Sequence, residues 1–281
     1  MATEFRGPTA KTKVSKVAKK ADALVATANK VARHAEKLER LAEHLDSIDV
    51  WTRDTANSRR PRITRDDIAA AAIQIADTEG LDALSMRRLA AQLDVGTMSL
   101  YHYVRTKDEL LTLVMDAFMG ATLVPSGTRL PKDWRSAITM VARQSKAALE
   151  RHPWVLDISD DPPIGPNTIR HFDQTLEAVA SFPGSLDDRF DLMMAVDEYV
   201  FGHCLHSRNN LADEEASSET VLGYMSELFD GGDFPTLAAM VDEFGLKPLW
   251  SRIHAQLRDP KRFERNLSRL LDGFTKTRPP R

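Results

Sequence analysis

Apolar and polar positions in the segment LDALSMRRLAAQLDVGTMSLYHYVRTKDEL alternate at the spacing of two short helices joined by a tight turn. The first helix is predicted to follow the N-cap Ser85, since apolar residues recur behind it at i, i+3, i+4 and i+7. The second is predicted to follow a turn in which Gly96 takes a positive φ, with Thr97 as its cap and Leu100 facing inward. The pattern is typical of a helix-turn-helix whose second helix enters a DNA major groove.

Helical periodicity continues on both sides of this pair. Before it, Thr64 is expected to cap a helix that ends at Gly80. After it, the segment KDELLTLVMDAFMGA carries a continuous apolar face. Further helical patterns span 134–150, 169–182, 186–208, 217–229 and 262–274. Because strand-like alternation is absent, the sequence predicts an all-α fold, with a three-helix DNA-binding domain followed by a larger helical domain.

A different period precedes the helix-turn-helix. From Val14 to Leu45, apolar residues alternate at steps of seven, which predicts a long helix of five heptads with apolar a and d positions. Alanine occupies four of the five a positions, so the predicted contact between helices buries less apolar area than leucine or isoleucine would. Three interpretations remain open: a solvated helix that packs on its neighbour, self-pairing in a dimer, or a basic extension that follows DNA phosphates.

The linker WTRDTANSRRPR separates this extension from the helix-turn-helix and suggests a basic arm. We expect an N-terminal extension at 1–58, a DNA-binding domain at 59–107 and a ligand-binding and dimerisation domain at 108–281. Residues 1–110 contain 19 Lys and Arg against 16 Asp and Glu, whereas the whole chain has a formal net charge of −3. Any affinity for DNA must therefore come from local charge near the N-terminal end.

Composition and motifs exclude several classes of protein. The single cysteine, Cys204, rules out an intramolecular disulfide and suits a reducing cytosol. No apolar run approaches the roughly 18 residues of a membrane span, so we expect a cytoplasmic protein without a membrane partner. Nucleophile elbows, Gly-rich phosphate loops and zinc-ligand clusters are absent, so we expect neither an enzyme nor a cofactor. His203 and His206 lack a third ligand at metal-binding spacing, and we therefore predict no metal.

The segments ITRDDIAAAAIQIADTEGLDAL, LSMRRLAAQLDV and SLYHYVRTKDELL resemble, in order and spacing, the DNA-binding domain of the tetracycline-repressor (TetR) family. Further on, PKDWRSAITMVARQSKAALERHPWV, GPNTIRHFDQTLEAV and FERNLSRLLDGF resemble the C-terminal domain of the subfamily around the tetracycline repressor. The resemblance implies a homodimeric repressor that a small-molecule effector releases from a palindromic double-stranded DNA operator. The alternative is a constitutive, DNA-anchored interaction module that uses the heptad helix.

The resemblance also implies individual DNA contacts. Arg87 falls where the family has an arginine that reads guanine, whose O6 and N7 suit a guanidinium fork. Residues 97–99 fall on base-contacting positions, while Tyr101 and Lys107 fall on phosphate-contacting ones. For Arg88, a solvated surface position and a phosphate contact both remain open. The expected DNA-binding residues are Arg62, Thr64, Ser85, Arg87, Thr97, Met98, Ser99, Tyr101, His102 and Lys107.

An effector pocket needs apolar and aromatic walls with a few polar groups. The C-terminal helices carry such residues, although at helical spacing most of them could equally belong to the core. Neither tetracycline nor magnesium is carried over from the subfamily, because the comparable stretch here reads DDPPIGPNTIR. The candidate ligand-binding residues are Trp134, Met140, Trp154, Asn167, His171, Phe172, Met193, Met194, Asp197 and Phe201.

The family resemblance places dimerisation on two apolar helix faces. One face lies around 199–205, and the other runs from Phe263 to Phe274. If these faces pair with a second copy, charge introduced at Leu267 or Leu271 should separate the dimer.

Overall fold

A computed structural model of the chain describes residues 50–52, 63–158, 164–212, 219–230 and 232–276. The chain divides into two compact units, 1–54 and 55–281. In the first unit, the described residues 50–52 are helical. The heptad pattern and the basic residues of the linker, Arg62 included, lie outside the described residues.

The described part of the second unit is helical throughout and contains no strand, which confirms the all-α prediction. No helix in the described ranges is long and apolar enough to cross a membrane. Two 3₁₀ segments, Leu81–Ala83 and Pro153–Asp157, accompany eleven α-helices. The helices are α1 (Arg65–Glu79), α2 (Met86–Gln92), α3 (Thr97–Leu100), α4 (Lys107–Thr122), α5 (Trp134–Arg151), α6 (Pro166–Ala178), α7 (Leu186–Ala212), α8 (Glu219–Asp230), α9 (Pro235–Phe244), α10 (Leu246–Arg258) and α11 (Arg262–Lys276).

Local side-chain chemistry sets the ends of α1 and the start of α2, as predicted. Thr64 Oγ1 accepts the N–H of Asp67 at 3.1 Å, and the carboxylate of Asp67 accepts the N–H of Thr64 at 2.8 Å. This reciprocal capping box satisfies two backbone donors at the start of α1. Ser85 Oγ accepts the N–H of Arg88 at 3.2 Å and caps α2. Gly80 ends α1 with a φ of 86°, a conformation that favours glycine.

The turn between α2 and α3 differs from the prediction. The positive φ, 52°, falls on Asp94, whose short polar side chain tolerates the left-handed region. Gly96 has a φ of −71° and is itself the N-cap of α3, so Thr97 is the first helical residue and not the cap. Thr97 is exposed, and no side chain caps α3.

Helix α4 connects the helix-turn-helix to the rest of the unit. It begins at the N-cap Thr106, whose side chain accepts the N–H of Glu109 at 3.1 Å. Its apolar face is buried through Leu110, Val114 and Phe118 and packs against α1, α5 and α6. Movement of α4 must therefore shift either the DNA-binding helices or the C-terminal helices that contact it.

The face of α11 that we expected at a dimer interface lies in the chain's own core. Phe263, Leu267 and Leu271 are at most 2% exposed within one chain. The hydroxyl of Tyr199 on α7 donates to the carbonyl of Phe263 at 2.9 Å, and the two rings stack 5.5 Å apart. These three side chains are already buried within one chain, so the interface prediction was wrong for them, while the expected interface on the face around 199–205 stays a prediction. A charge at Leu267 or Leu271 would disrupt this core directly.

Candidate functional site

The expected DNA-binding residues lie on the surface of the helix-turn-helix. Leu100 and Val104 are fully buried and fix α3 and the turn after it against the domain. Met98 is 73% exposed at the start of α3. All nine described members of the set are exposed: Thr64, Ser85, Arg87, Thr97, Met98, Ser99, Tyr101, His102 and Lys107.

The adjacent residues Arg87 and Arg88 have different surroundings. Arg88 contacts the carboxylate of Glu79 on α1 through Nε at 3.0 Å and Nη2 at 2.5 Å. This hydrogen bonding lowers the pKa of Glu79 and raises the pKa of Arg88. Arg87 is exposed and makes no hydrogen bond or ion pair with the described residues. Arg88 therefore holds α2 against α1, whereas the Arg87 guanidinium is available to a ligand such as a base edge.

A polar cluster links α1 of the DNA-binding region to the end of α5; we call Asp77, His152 and Trp154 the Asp77 cluster. Asp77 Oδ1 accepts the indole N–H of Trp154 at 2.7 Å and lies 2.8 Å from His152 Nδ1. The buried His152 ring also packs edge-on against Phe118 of α4, with centroids 6.2 Å apart. Trp154, a candidate for the ligand pocket, is 6% exposed, and its indole N–H already donates to Asp77.

A second polar link joins α4 to α6. Asp116 Oδ1 accepts the backbone N–H groups of Asn167 at 2.9 Å and Thr168 at 3.0 Å, in the first turn of α6. The N-cap residue of α6, Gly165, has no side chain, so a carboxylate from α4 supplies the cap oxygen. A Cβ at Gly165 would lie 2.2 Å from Asp116 Oδ1, which leaves no room for a larger residue.

The same two helices meet again at His171, another ligand candidate. His171 Nδ1 lies 2.9 Å from Thr122 Oγ1, and the Thr122 hydroxyl donates to the carbonyl of Met119 at 2.7 Å. Because that hydroxyl proton is already used, the Nδ1–H of His171 is the donor of the first bond. Burial lowers the pKa of His171, so the ring is neutral near pH 7. This contact and the hydrogen bonds of Asp116 attach α6 to α4 at two points, so we expect the two helices to move together.

The structure separates the remaining ligand candidates into two groups. Trp134 packs against Phe182 with ring centroids 4.9 Å apart and is 9% exposed, and Met193 is 5% exposed. Both therefore lie in the core. The exposed candidates are Phe172 at 47%, Met194 at 55%, Phe201 at 40%, and Asp197.

Two surface depressions in the described residues lie elsewhere and are lined mainly by polar groups. The one that contains Met140 has a volume of about 540 Å³ and includes Arg135 and Arg143. Both arginines are held by α11, since Arg143 Nη2 pairs with Glu264 at 2.7 Å and Arg135 Nη2 pairs with Asp272 at 2.7 Å. The other, of about 530 Å³, lies between α10 and α11. Neither depression has the apolar walls of a typical effector pocket.

One side of α7, here called the α7 stripe, carries the half-buried Phe190, the exposed candidates Asp197 and Phe201, and the half-buried Arg208. These residues lie 7, 11 and 18 positions after the first, and an α-helix of about 3.6 residues per turn aligns such positions. At one end, Phe190 stacks on Phe172 of α6 with centroids 6.3 Å apart. At the other, Arg208 donates to the carbonyl of Pro153 at 3.0 Å and pairs with Asp157.

Asp197 lies between these two anchored ends. It makes no hydrogen bond or ion pair with any part of the chain that the structure describes, and its side chain is exposed to solvent. Surrounding protein nevertheless desolvates the carboxylate and raises its pKa to about 6. Among the exposed candidates Asp197 is the one polar side chain, and its role in ligand contact stays a prediction.

Sequence reasoning missed Asp77, Asp116 and Gly165. Asp116 interrupts an otherwise apolar helix face, and the N-cap Gly165, just before Pro166, leaves α6 without a cap from its own side chains. These two signals could have been connected, since a buried acid and an uncapped helix complement each other. The described residues contain no group of three His, Cys, Asp or Glu side chains that could hold a metal ion.

Comparisons with known proteins place this architecture in a family. Residues 68–114 match the family model described as bacterial regulatory proteins, tetR family, and residues 128–278 match the tetracyclin repressor-like C-terminal domain. The HTH-type transcriptional repressor DrrR1 of Streptomyces coeruleorubidus is 32% identical over 239 residues, which cover 80% of this chain and 83% of DrrR1. The chain belongs to the TetR family of transcriptional regulators.

Solved structures of TetR-family proteins have the same fold. ActR of Streptomyces coelicolor, in complex with (S)-DNPA, superposes with a TM-score of 0.59 at 28% identity, covering 77% of this chain and 98% of ActR. ActR in complex with actinorhodin gives a TM-score of 0.58 at 28% identity, covering 76% of this chain and 95% of ActR. The class E tetracycline repressor of Escherichia coli is 24% identical over 71% of this chain and 95% of that repressor. The named relatives are regulators of transcription.

Proposed function

We propose that the protein is a repressor that binds a palindromic operator as a homodimer and leaves it when a small molecule binds the C-terminal domain. The observation that carries this proposal is the Asp116 link, because it ties the effector side of the molecule to the helix that begins at the DNA-binding region. ActR, which has the same fold, has been crystallised with small molecules bound. Since such a regulator acts on the chromosome, we place it in the cytoplasm.

The DNA side of the proposal rests on α2 and α3. Arg87 has no competing partner in the described chain, and residues 97–99 are exposed at the start of the short helix α3. We assign base contacts to these positions and phosphate contacts to Tyr101 and Lys107. In a two-fold dimer, two copies of α3 would enter successive major grooves about 34 Å apart, and the operator would then be palindromic.

The switching side rests on the two polar links. A molecule placed between α6 and α7 would change the position of α6, and the Asp116 cap would transmit that change to α4. The Asp77 cluster is a second connection, from the end of α5 to α1, and its His152 ring also contacts Phe118 of α4. An effector can release DNA only if it prefers the released state, and a preference of about 1–3 kcal/mol would change operator affinity about 5- to 150-fold.

Removal of the Asp77 carboxylate should destabilise the protein and weaken its response to effectors. Asp77→Ala leaves the indole N–H of the buried Trp154 unsatisfied, and such losses lower the free energy of unfolding by about 1–3 kcal/mol. Urea denaturation followed by circular dichroism measures this change. The control, Asp66→Ala, alters an exposed acid in the first turn of α1 and should lower stability by less than about 1 kcal/mol. Equal losses in the two variants would show that the Asp77 cluster does not stabilise the contact between α1 and α5.

The proposed function is tested with the full-length protein and DNA selected from a random duplex pool. After the operator is identified, binders found in a small-molecule library by thermal shift are added to the protein–operator complex, and release is measured by fluorescence anisotropy. We expect at least one binder to weaken operator affinity fivefold or more. If tight binders of the protein leave operator affinity unchanged, the protein is a constitutive DNA-binding protein.

A further inference from the structure

The depression between α10 and α11 is lined by basic and amide side chains. It has a volume of about 530 Å³, and its lining residues are Gln256, Leu257, Arg262, Arg265, Asn266 and Arg269. Three of these six side chains are guanidinium groups, and two are amides whose NH₂ groups can also donate hydrogen bonds. Because the lining contains no acid, such walls suit an anion better than an apolar molecule or a cation.

Two of the three arginines have no opposite charge beside them among the described residues. Arg265 pairs with the carboxylate of Asp259 at 2.5 Å. Arg262 instead donates to the carbonyl of Leu257 at 3.0 Å, and Arg269 donates to a side-chain amide oxygen of its own helix at 3.3 Å. Both of these acceptors are neutral. Each guanidinium has five N–H donors, so donors remain for a ligand on both arginines.

The positive charge is concentrated at this depression, although the C-terminal domain as a whole is acidic. Residues 252–270 contain six Lys and Arg against two Asp and Glu, whereas residues 111–281 contain 19 against 25. One of the two acids in the shorter segment, Glu264, pairs with Arg143 of α5 at 2.7 Å. It therefore compensates a charge outside the depression, and the local excess of positive charge remains.

The arginines lie on the side of α11 that faces away from the buried Phe263 and Leu267, as the helical repeat of about 3.6 residues requires. A second copy that met this side next to the two-fold axis would bring like charges together, which is unfavourable. Arg262 and Arg269 are two turns apart, about 10 Å along the axis, a separation that two long side chains can close toward one anion. A small anion is therefore a better occupant than the same face of a second copy.

We infer that the depression between α10 and α11 binds a small molecule through a phosphate monoester, with Arg262 and Arg269 as the residues that contact the phosphate. Such a group carries about −1.5 to −2 charges near pH 7 and three acceptor oxygens, which matches two uncompensated guanidinium groups. Guanidinium groups bind phosphate through paired hydrogen bonds. The volume lies within the range of small-molecule sites, so the organic part of the ester also fits. The inference goes beyond the proposed function, since it does not depend on release of DNA.

A matched set of sugar derivatives tests the recognition of phosphate. The probes are ribose 5-phosphate, the carboxylate ribonate and the neutral sugar ribose. Their binding to the full-length protein without DNA is measured by isothermal titration calorimetry at low ionic strength. We expect ribose 5-phosphate to bind at least tenfold more tightly than ribonate, and ribose to bind weakest. Absence of binding by ribose 5-phosphate, or equal affinity for the phosphate and the carboxylate, would overturn the inference.

Three variants locate the binding. Arg269→Gln removes a charge whose described contact is within its own helix, so the variant should stay folded and should bind ribose 5-phosphate at least fivefold more weakly. Arg252→Gln removes the same charge from an exposed position of α10 outside the depression and should keep affinity within twofold of the wild type. Asp259→Asn removes the carboxylate that neutralises Arg265 and should tighten binding at least threefold, a gain that misfolding cannot produce. Equal losses in Arg269→Gln and Arg252→Gln would show that net charge alone attracts the ester.

Two further measurements separate the depression from other surfaces that could attract an anion. Lys107→Ala changes a position that we assign to DNA phosphates and should leave the affinity for ribose 5-phosphate unchanged. Sedimentation of Arg269→Gln should show the assembly state of the wild type. If Lys107→Ala abolishes binding of the ester, the ester occupies the DNA-binding surface and the inference is wrong. It is also wrong if Arg269→Gln separates the dimer and the wild type binds no phosphate, because the depression is then a contact between copies.

Discussion

Replacement of Arg87 by alanine should weaken operator binding and remove the preference for one base pair in each half-site. A bidentate arginine–guanine contact contributes about 1–3 kcal/mol of discrimination, which corresponds to about 5- to 150-fold in affinity. Because Arg87 is exposed and has no partner in the described chain, the variant should unfold at the wild-type temperature. Titration of the selected operator and of its single-base variants measures both effects.

Two neighbouring cations provide controls for Arg87. Lys107→Ala should weaken all DNA sequences alike and lower the salt dependence of binding by about one counterion. Arg88→Ala should instead lower the unfolding temperature, because it breaks the pair with Glu79 that holds α2 to α1. If Arg87→Ala loses affinity equally for every sequence, Arg87 contacts phosphate and reads no base.

Replacement of Gly165 by alanine should destabilise the protein by about 1–3 kcal/mol or more, which is the usual effect of overpacking. The new Cβ would lie 2.2 Å from Asp116 Oδ1, so the carboxylate must move away from the start of α6. The displacement also removes the cap that Asp116 provides to Asn167 and Thr168. Thermal unfolding of the purified variant measures the loss, and effector titration with the operator complex should show a weaker response.

Gly223 offers a matched control in the middle of α8. Apart from its chain neighbours and the α8 backbone, no atom of the described chain lies within 4 Å of a Cβ added there, so Gly223→Ala should leave stability unchanged or raise it by up to about 1 kcal/mol. Asp116→Asn retains an oxygen acceptor and should lose less stability than Gly165→Ala. An unfolding temperature for Gly165→Ala equal to that of the wild type would show that Asp116 does not depend on the absence of a side chain at this position.

Local chemistry explains which helix boundaries the sequence predicts. Thr64, Ser85 and Gly80 act within three or four residues of their own positions, so their cap roles could be inferred without tertiary structure. In the turn before α3, Asp94 and Gly96 could each take the positive φ, and composition alone favours the wrong one. A positive φ at Asp94 and a positive φ at Gly96 differ little in conformational energy, so tertiary packing determines which residue adopts it.

Helices α9 and α10 escaped prediction because their sequences contain residues that usually end helices. Pro235 starts α9, Gly245 separates the two helices, and Pro248 lies in the first turn of α10. Proline is tolerated in a first turn, where the backbone N–H has no helical acceptor. The same residues are therefore compatible with helix starts, and only the packed structure shows which role applies.

The candidate site was predictable in part. Exposure of the DNA-binding residues follows from the short-range pattern of α2 and α3 and from the family resemblance. Periodicity could not separate Trp134 and Met193, which lie in the core, from the exposed Phe172, because all three occupy apolar positions on helices. The Asp77 cluster joins residues that lie 77 positions apart, and no local pattern in one sequence encodes such a contact.

As a sequence-specific repressor, this TetR-family chain should recognise a palindrome as a dimer. The most direct measurement is the affinity of the full-length protein for DNA selected from a random pool, compared with a scrambled duplex at physiological salt, with stoichiometry from analytical ultracentrifugation. We expect a palindromic sequence, an even number of chains per duplex, and binding at least about 10³-fold tighter than to the scrambled duplex. Equal affinity for the two duplexes, or one chain bound to a site without symmetry, would show that the protein is not a dimeric, sequence-specific repressor.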